Sequence, residues 1–122
     1  MAVNKRKIGS KYEALAAEYL QKKGYRIVER NFRSPFGEID IIAEKDGVIV
    51  YVEIKYRSSM RYGDPLEAVD FRKQRQICRV ANYHYSGYTR GREIPCRFDV
   101  IGIYGDGSIR HIENAFNVSD SL

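Results

Sequence analysis

Asp40, Glu53 and Lys55 have the residue types and the spacing of a hydrolytic metal site. Asp46-Gly47 separates two β-rich runs, and such a pair suits a two-residue hairpin turn because both central positions need positive φ. With Asp46 and Gly47 as the loop, Lys45 faces Val48, Asp40 faces Glu53 and Glu38 faces Lys55. Side chains alternate faces along a strand. These four charges are therefore expected on one face, with Ile39, Ile41, Val50, Val52 and Ile54 as an apolar layer on the other. Two carboxylates about 5 Å apart repel by roughly 3 kcal/mol at an effective dielectric near 20. A purely structural strand pair gains nothing from that repulsion, whereas a raised pKa, a neighbouring lysine or a bound cation relieves it. Mg²⁺ or Mn²⁺ takes oxygen ligands, typically from one or two carboxylates. The Lys55 ammonium would then meet an attacking water or a phosphate, giving a workable site for phosphodiester hydrolysis. A lone Glu-x-Lys is more often a solvated strand face, so the opposed Asp40–Glu53 pair carries the inference. A one-residue slip of register would undo it.

Other residues have two readings. Ser10 and Glu13 have capping-box spacing, yet Glu13 also borders the apolar stripe of the same helix, from which it would overlook the acidic pair. Lys73 lies in line with Leu66, Val69, Ile77, Val80 and His84 at helical spacing. Such a lysine snorkels to solvent or reaches a carboxylate cluster, and the second is expected here. His84 and His111 read as packed or surface histidines, and Arg97 and Asp99 as partners of neighbouring charges.

The elements that must position these residues follow from periodicity and punctuation. Tyr12, Leu15, Ala16, Tyr19 and Leu20 form one helical stripe over residues 11–23, stopped by Gly24. Strands are expected over residues 25–29, 38–44, 48–56, 97–103 and 109–116, with a turn over 31–37. Asp64-Pro65-Leu66-Glu67 reads as the start of a long helix reaching residue 85, broken near Phe71. The order α-β-β-β-α-β-β implies an α/β fold, one mixed sheet flanked by helices. Residues 5–116 are expected to form a single domain, and residues 117–122 a mobile tail.

The chain has 122 residues, enough for one core and not two. It lacks an apolar run near the roughly 20 residues that span a bilayer. Its basic start leads into Gly9-Ser10-Lys11 and not into a signal-peptide core. Cys78 and Cys96 lack metal-site spacing and read as reduced thiols. A cytoplasmic protein without membrane association is expected. The net charge of +5 favours polyanionic partners, nucleic acid first. Arg57, Arg61, Arg72, Arg75 and Arg79, with Lys73, are placed to grip a phosphate backbone.

The runs Gly37-Glu38-Ile39-Asp40-Ile41-Ile42-Ala43 and Tyr51-Val52-Glu53-Ile54-Lys55 resemble the PD-(D/E)xK nuclease pattern, with Ile39 standing where the literal motif has Pro. More narrowly, residues 5–116 resemble the YraN family of small bacterial proteins. The resemblance rests on residues 9–13, Gly24-Tyr25, Arg30-Asn31-Phe32-Arg33, the hairpin, Ala68-Val69 with Lys73, Arg97-Phe98-Asp99-Val100 and Asn114-Ala115-Phe116. It implies a restriction-endonuclease-like fold similar to archaeal Holliday-junction resolvases. It also implies that Asp40, Glu53 and the Ile54 carbonyl hold Mg²⁺ or Mn²⁺, that Lys55 positions or activates water, and that Glu13 matches a first-helix acid. Glu38 belongs to the family's Gly-Glu-x-Asp signature and is carried with the catalytic set. The expected function is a metal-dependent nuclease on DNA, more than RNA, acting on branched or single-stranded forms. Junction cleavage would call for a homodimer. The alternative is a non-catalytic nucleic-acid-binding module of the same fold, with Tyr51, Tyr56, Tyr62 and Tyr88 stacking on bases.

Overall fold

A computed structural model of the chain describes residues 5–58 and 65–117. The element order is α1 (Lys5–Lys22), β1 (Arg26–Ser34), β2 (Gly37–Lys45), β3 (Val48–Arg57), a 3-10 turn (Pro65–Ala68), α2 (Phe71–Thr89), β4 (Cys96–Tyr104) and β5 (Ile109–Phe116). The five strands form one sheet in chain order. Neighbours are antiparallel except β3 and β4, which run parallel because α2 carries the chain across between them. This is the mixed α/β architecture expected, of restriction-endonuclease-like type. Residues 118–122, expected as a tail, and Asp64, expected as a helix cap, lie outside the described residues.

Helix α1 starts six residues earlier than its stripe suggests, so Ser10 lies inside it and caps nothing. Ala16, Ala17 and Leu20 pack against Ile41, Val50, Val52 and Ile101, while Leu15 is left 37% exposed. Its end is set at Gly24 (φ 91): Tyr25 N–H donates to the Leu20 carbonyl and Gly24 N–H to that of Gln21. That is the Schellman pattern of bonds, which meets the last orphan carbonyls of the helix. Helix α2 starts where the expected break lies. Asp70 caps it, Oδ1 accepting from Lys73 N–H at 2.9 Å, and Pro65–Ala68 is a separate turn. Ile77, Val80 and Ala81 cover the opposite face of the sheet, over Ile42, Tyr51, Phe98 and Val100.

Both faces of the sheet are thus covered, which corrects the expectation of one charged and one apolar face. Ile41, Val50, Val52 and Ile54 do lie under α1, but Ile39 belongs to the α2 side with Ile42. The cause is a break in strand alternation. Strand β1 does not end near residue 30 but runs on to Ser34, with Asn31 in the left-handed region (φ 54). Arg30 pairs with Ile41 and Phe32 with Ile39, and the ladder skips Asn31 and Asp40 between them. Asp40 therefore sits at a kink.

Candidate functional site

The hairpin register is the one expected, from Lys45↔Val48 to Ile41↔Val52, with Asp46 (φ 52) and Gly47 (φ 77) both at positive φ. The ladder ends one step short of the expected Asp40–Glu53 pair. There the Asp40 carboxylate takes over a backbone role, Oδ2 accepting from Ile54 N–H at 2.8 Å. Glu53 is buried, and Lys55 Nζ and Lys73 Nζ lie 3.6 and 3.9 Å from its Oε1. Lys73 thus turns inward to the carboxylates and does not snorkel, as its place on an apolar stripe implies.

Burial pushes Glu53 up to about 7, the Asp40 charge adds to this, and the two lysines oppose it. Asp40 is also raised by burial and by the Glu38 charge, against the Ile54 N–H, Lys73 and Lys55. Two acids near each other and short of partners have a net demand for positive charge.

The other expected residues divide. Glu13 is 6% exposed and accepts from Arg30 Nε at 2.7 Å, so it is a buried partner of a strand residue and not a cap. It lines a cleft of about 510 Å³ with Asp40, Glu38, Ile54, Tyr12 and Tyr56, a cleft that Glu53 and Lys55 do not line. Glu38 is exposed and pairs across the strand with Arg33 (3.6 Å), not with Lys55, because the β1–β2 ladder sets Arg33 opposite it. Arg72, Arg75 and Arg79 are exposed on α2, Arg57 Nη1 donates to the Tyr56 carbonyl, and Arg61 lies outside the described residues.

Of the tyrosines, Tyr51 is buried against His84 (3.0 Å) and Tyr88 donates to Glu44, which removes both as base platforms. Tyr56 is 40% exposed and stacks on Tyr12 at 4.3 Å, and Tyr62 is not among the described residues. His84 is a packing residue, lowered in pKa by burial against the pull of Glu29. Sequence reasoning missed Arg30, whose partner lies 17 positions away, and Tyr12, read only as stripe.

Residues 12–103 match the model of a family described as "Uncharacterised protein family UPF0102". The chain belongs to the UPF0102 family. This is the YraN resemblance seen in the motifs. The UPF0102 protein of Thermodesulfovibrio yellowstonii is 49% identical over 109 residues, 89% of this chain and 95% of the relative. That of Caldanaerobacter subterraneus subsp. tengcongensis is 44% identical over 120 residues, covering 93% and 98%. That of Persephonella marina is 47% identical over 111 residues, covering 90% and 93%. Family membership thus extends over nearly the whole chain and includes both strands of the acidic hairpin.

Among the described residues no three His, Cys, Asp or Glu side chains come together as a metal cage. The donors at the candidate site are the carboxylates of Asp40 and Glu53, with no Cys or His among the described residues that line the cleft. That hard, sparse set fits Mg²⁺ or Mn²⁺, which keep several waters, better than zinc. Also among the described residues, no helix is long and apolar enough to cross a membrane.

Proposed function

We propose that the chain is a divalent-metal-dependent nuclease that hydrolyses DNA phosphodiesters, acting on branched or single-stranded forms in the cytoplasm. One observation carries the reading: a buried acid, Glu53, and a half-buried one, Asp40, are both raised in pKa although two lysines lie within 4 Å of Glu53. Ion pairing has not satisfied them, so a cation of higher charge has a place there.

Asp40, Glu53 and the Ile54 carbonyl would hold Mg²⁺ or Mn²⁺, which when bound polarises a phosphoryl oxygen and acidifies water. Lys55 would orient the attacking water, a reading supported by its ammonium lying 3.6 Å from Glu53. Lys73, 3.9 Å from the same carboxylate, comes from α2 and would neutralise charge on the scissile phosphate. Glu13 overlooks the cleft with Arg30 fixing its orientation. Arg72, Arg75 and Arg79 offer backbone contacts that give affinity without sequence choice. Action on a four-way junction would further require a two-fold dimer.

The test uses labelled single-stranded, duplex and four-way-junction DNA with Mn²⁺, Mg²⁺ or EDTA, beside Asp40→Asn and Glu53→Gln. Cleavage should need metal and fall by about 10²–10³-fold or more in each variant, as when a preorganised transition-state contact is removed. If the wild type cuts nothing while both variants bind DNA as well as it does, the catalytic reading fails. The binding module then becomes the better account.

A further inference from the structure

The exposed face of α2 and the β1–β2 turn together make a second surface, one lined by neither Asp40 nor Glu53. Arg72, Arg75 and Arg79 line a depression of about 550 Å³ with Pro35, Phe36 and Gln76. All three arginines are exposed, no acid lines the depression, and none of the three is ion-paired among the described residues. Their neighbour Lys73 differs in this respect, since it turns inward to Glu53.

The aromatic side chains here are unusually uncovered. Phe36 is 49% exposed and Tyr83 52%, their rings 6.3 Å apart and nearly perpendicular. Phe36 is also held firmly. Ser34 Oγ accepts from Phe36 N–H at 3.0 Å and donates to the Gly37 carbonyl at 3.2 Å. Gln76 Nε2 donates to the Phe36 carbonyl at 3.1 Å, strapping the turn to α2. Gly37 (φ 135) permits this approach, because a Cβ there would come within 2.6 Å of Gln76 Nε2. An apolar ring displayed on a fixed support loses little entropy when something stacks on it.

We propose that this surface binds a short stretch of single-stranded nucleic acid, with phosphates held by Arg72, Arg75 and Arg79 and unpaired bases stacked on Phe36 and Tyr83. Arg72 to Tyr83 spans about 16 Å of helix, three turns of one face, which is room for a few nucleotides and no more. A duplex hides the faces of its bases, so the two rings have a use only where bases are unpaired. Because Arg72 adjoins Lys73, one end of a strand held here lies beside the lysine that reaches Glu53. The inference names the strand that the proposed nuclease would receive and rests on that reading for its role, but strand binding is measurable without metal.

The experiment uses the full chain in EDTA with a fluorescent 12-mer oligothymidine, a 12-base-pair duplex and a polyglutamate peptide. The single strand should bind about tenfold tighter than the duplex, and a 2-aminopurine placed in it should be quenched. Phe36→Leu and Tyr83→Leu should each cost about tenfold on the single strand and leave the duplex unchanged. Arg75→Gln and Arg79→Gln should weaken both, each flattening the salt dependence of single-strand binding by about 0.7 in slope. Equal affinity for strand and duplex with no response to Phe36→Leu would overturn the proposal, as would preference for polyglutamate. Strand binding in EDTA without cleavage in Mn²⁺ would leave this surface standing and remove the nuclease. Cleavage that ignores Phe36→Leu and Tyr83→Leu on every substrate would do the reverse.

Discussion

Asp99 and Glu53 are both acids sunk into the same sheet, on the paired central strands β4 and β3. Asp99 has a full set of partners. Arg97 Nε lies at 3.0 Å, His111 Nε2 at 2.7 Å and Asn114 N–H at 3.0 Å, and the Tyr19 hydroxyl lies 3.3 Å from the other His111 nitrogen. Burial alone would raise its pKa, but the bonds from His111, Arg97 and Asn114 outweigh burial and hold it below the ordinary carboxylate value. Glu53 has two ammonium groups at 3.6 and 3.9 Å, a like charge nearby, and a pKa near 7. Depth therefore does not decide which of two buried acids is left short of partners. What distinguishes them is whether the protein itself has met the acid's demand for protons or positive charge.

The largest effect should come from breaking the satisfied side. Asp99→Ala leaves His111 and the three-quarters-buried Arg97 without their carboxylate, and should cost about 3 kcal/mol, read as a lower urea midpoint at neutral pH. A loss under half that size would mean the network contributes little.

An effect of no greater size, and one that depends on pH, belongs to Glu53 in metal-free protein. Its folded-state pKa is raised from 4.5 to about 7, so the folded form binds the extra proton in that window. Its contribution to stability is therefore full below about pH 4.5 and lost as pH rises to about 7. The fall should amount to at most about 3 kcal/mol and vanish in Glu53→Gln, as followed by thermal melts across pH. A wild-type slope that persists in Glu53→Gln would assign it to another group.

The smallest is Asp40→Asn, which in EDTA should change stability by less than about 1 kcal/mol, or raise it, because like-charge repulsion is relieved. The same substitution should abolish the rise in melting temperature expected of the wild type in Mn²⁺. Destabilisation as large as that of Asp99→Ala would erase the contrast between the two acids.

How much of this was legible depended on how local the cause is. The hairpin register follows from Asp46-Gly47 alone, so Asp40, Glu53 and Lys55 could be brought together before any fold was known. Lys73 was legible because a cation on an apolar stripe needs an explanation within its own helix. Asn31 misled, since asparagine reads as a turn whether it ends a strand or kinks one, and the end of β1 was placed too early. Glu13 fits a capping box by spacing, and only the packing of α1 on β1 reveals Arg30 as its partner. The Asp99 network needs the β4–β5 register, with its irregularity between Phe98 and Val100, which no turn signal supplies. The exposure of Phe36 and Tyr83 had no signal at all, because an uncovered aromatic looks in sequence like a buried one.

The chain-order sheet also has a consequence for how the molecule assembles. Asp40, Glu53 and Lys55 belong to one hairpin and can meet as soon as β2 and β3 zip. Lys73 arrives only with the α2 crossover that brings β4 alongside β3. Local pairings form before distant ones, since a long loop must be closed for the latter. The two carboxylates therefore come near each other with a single lysine before Lys73 arrives, and acid, by neutralising them, should speed that step.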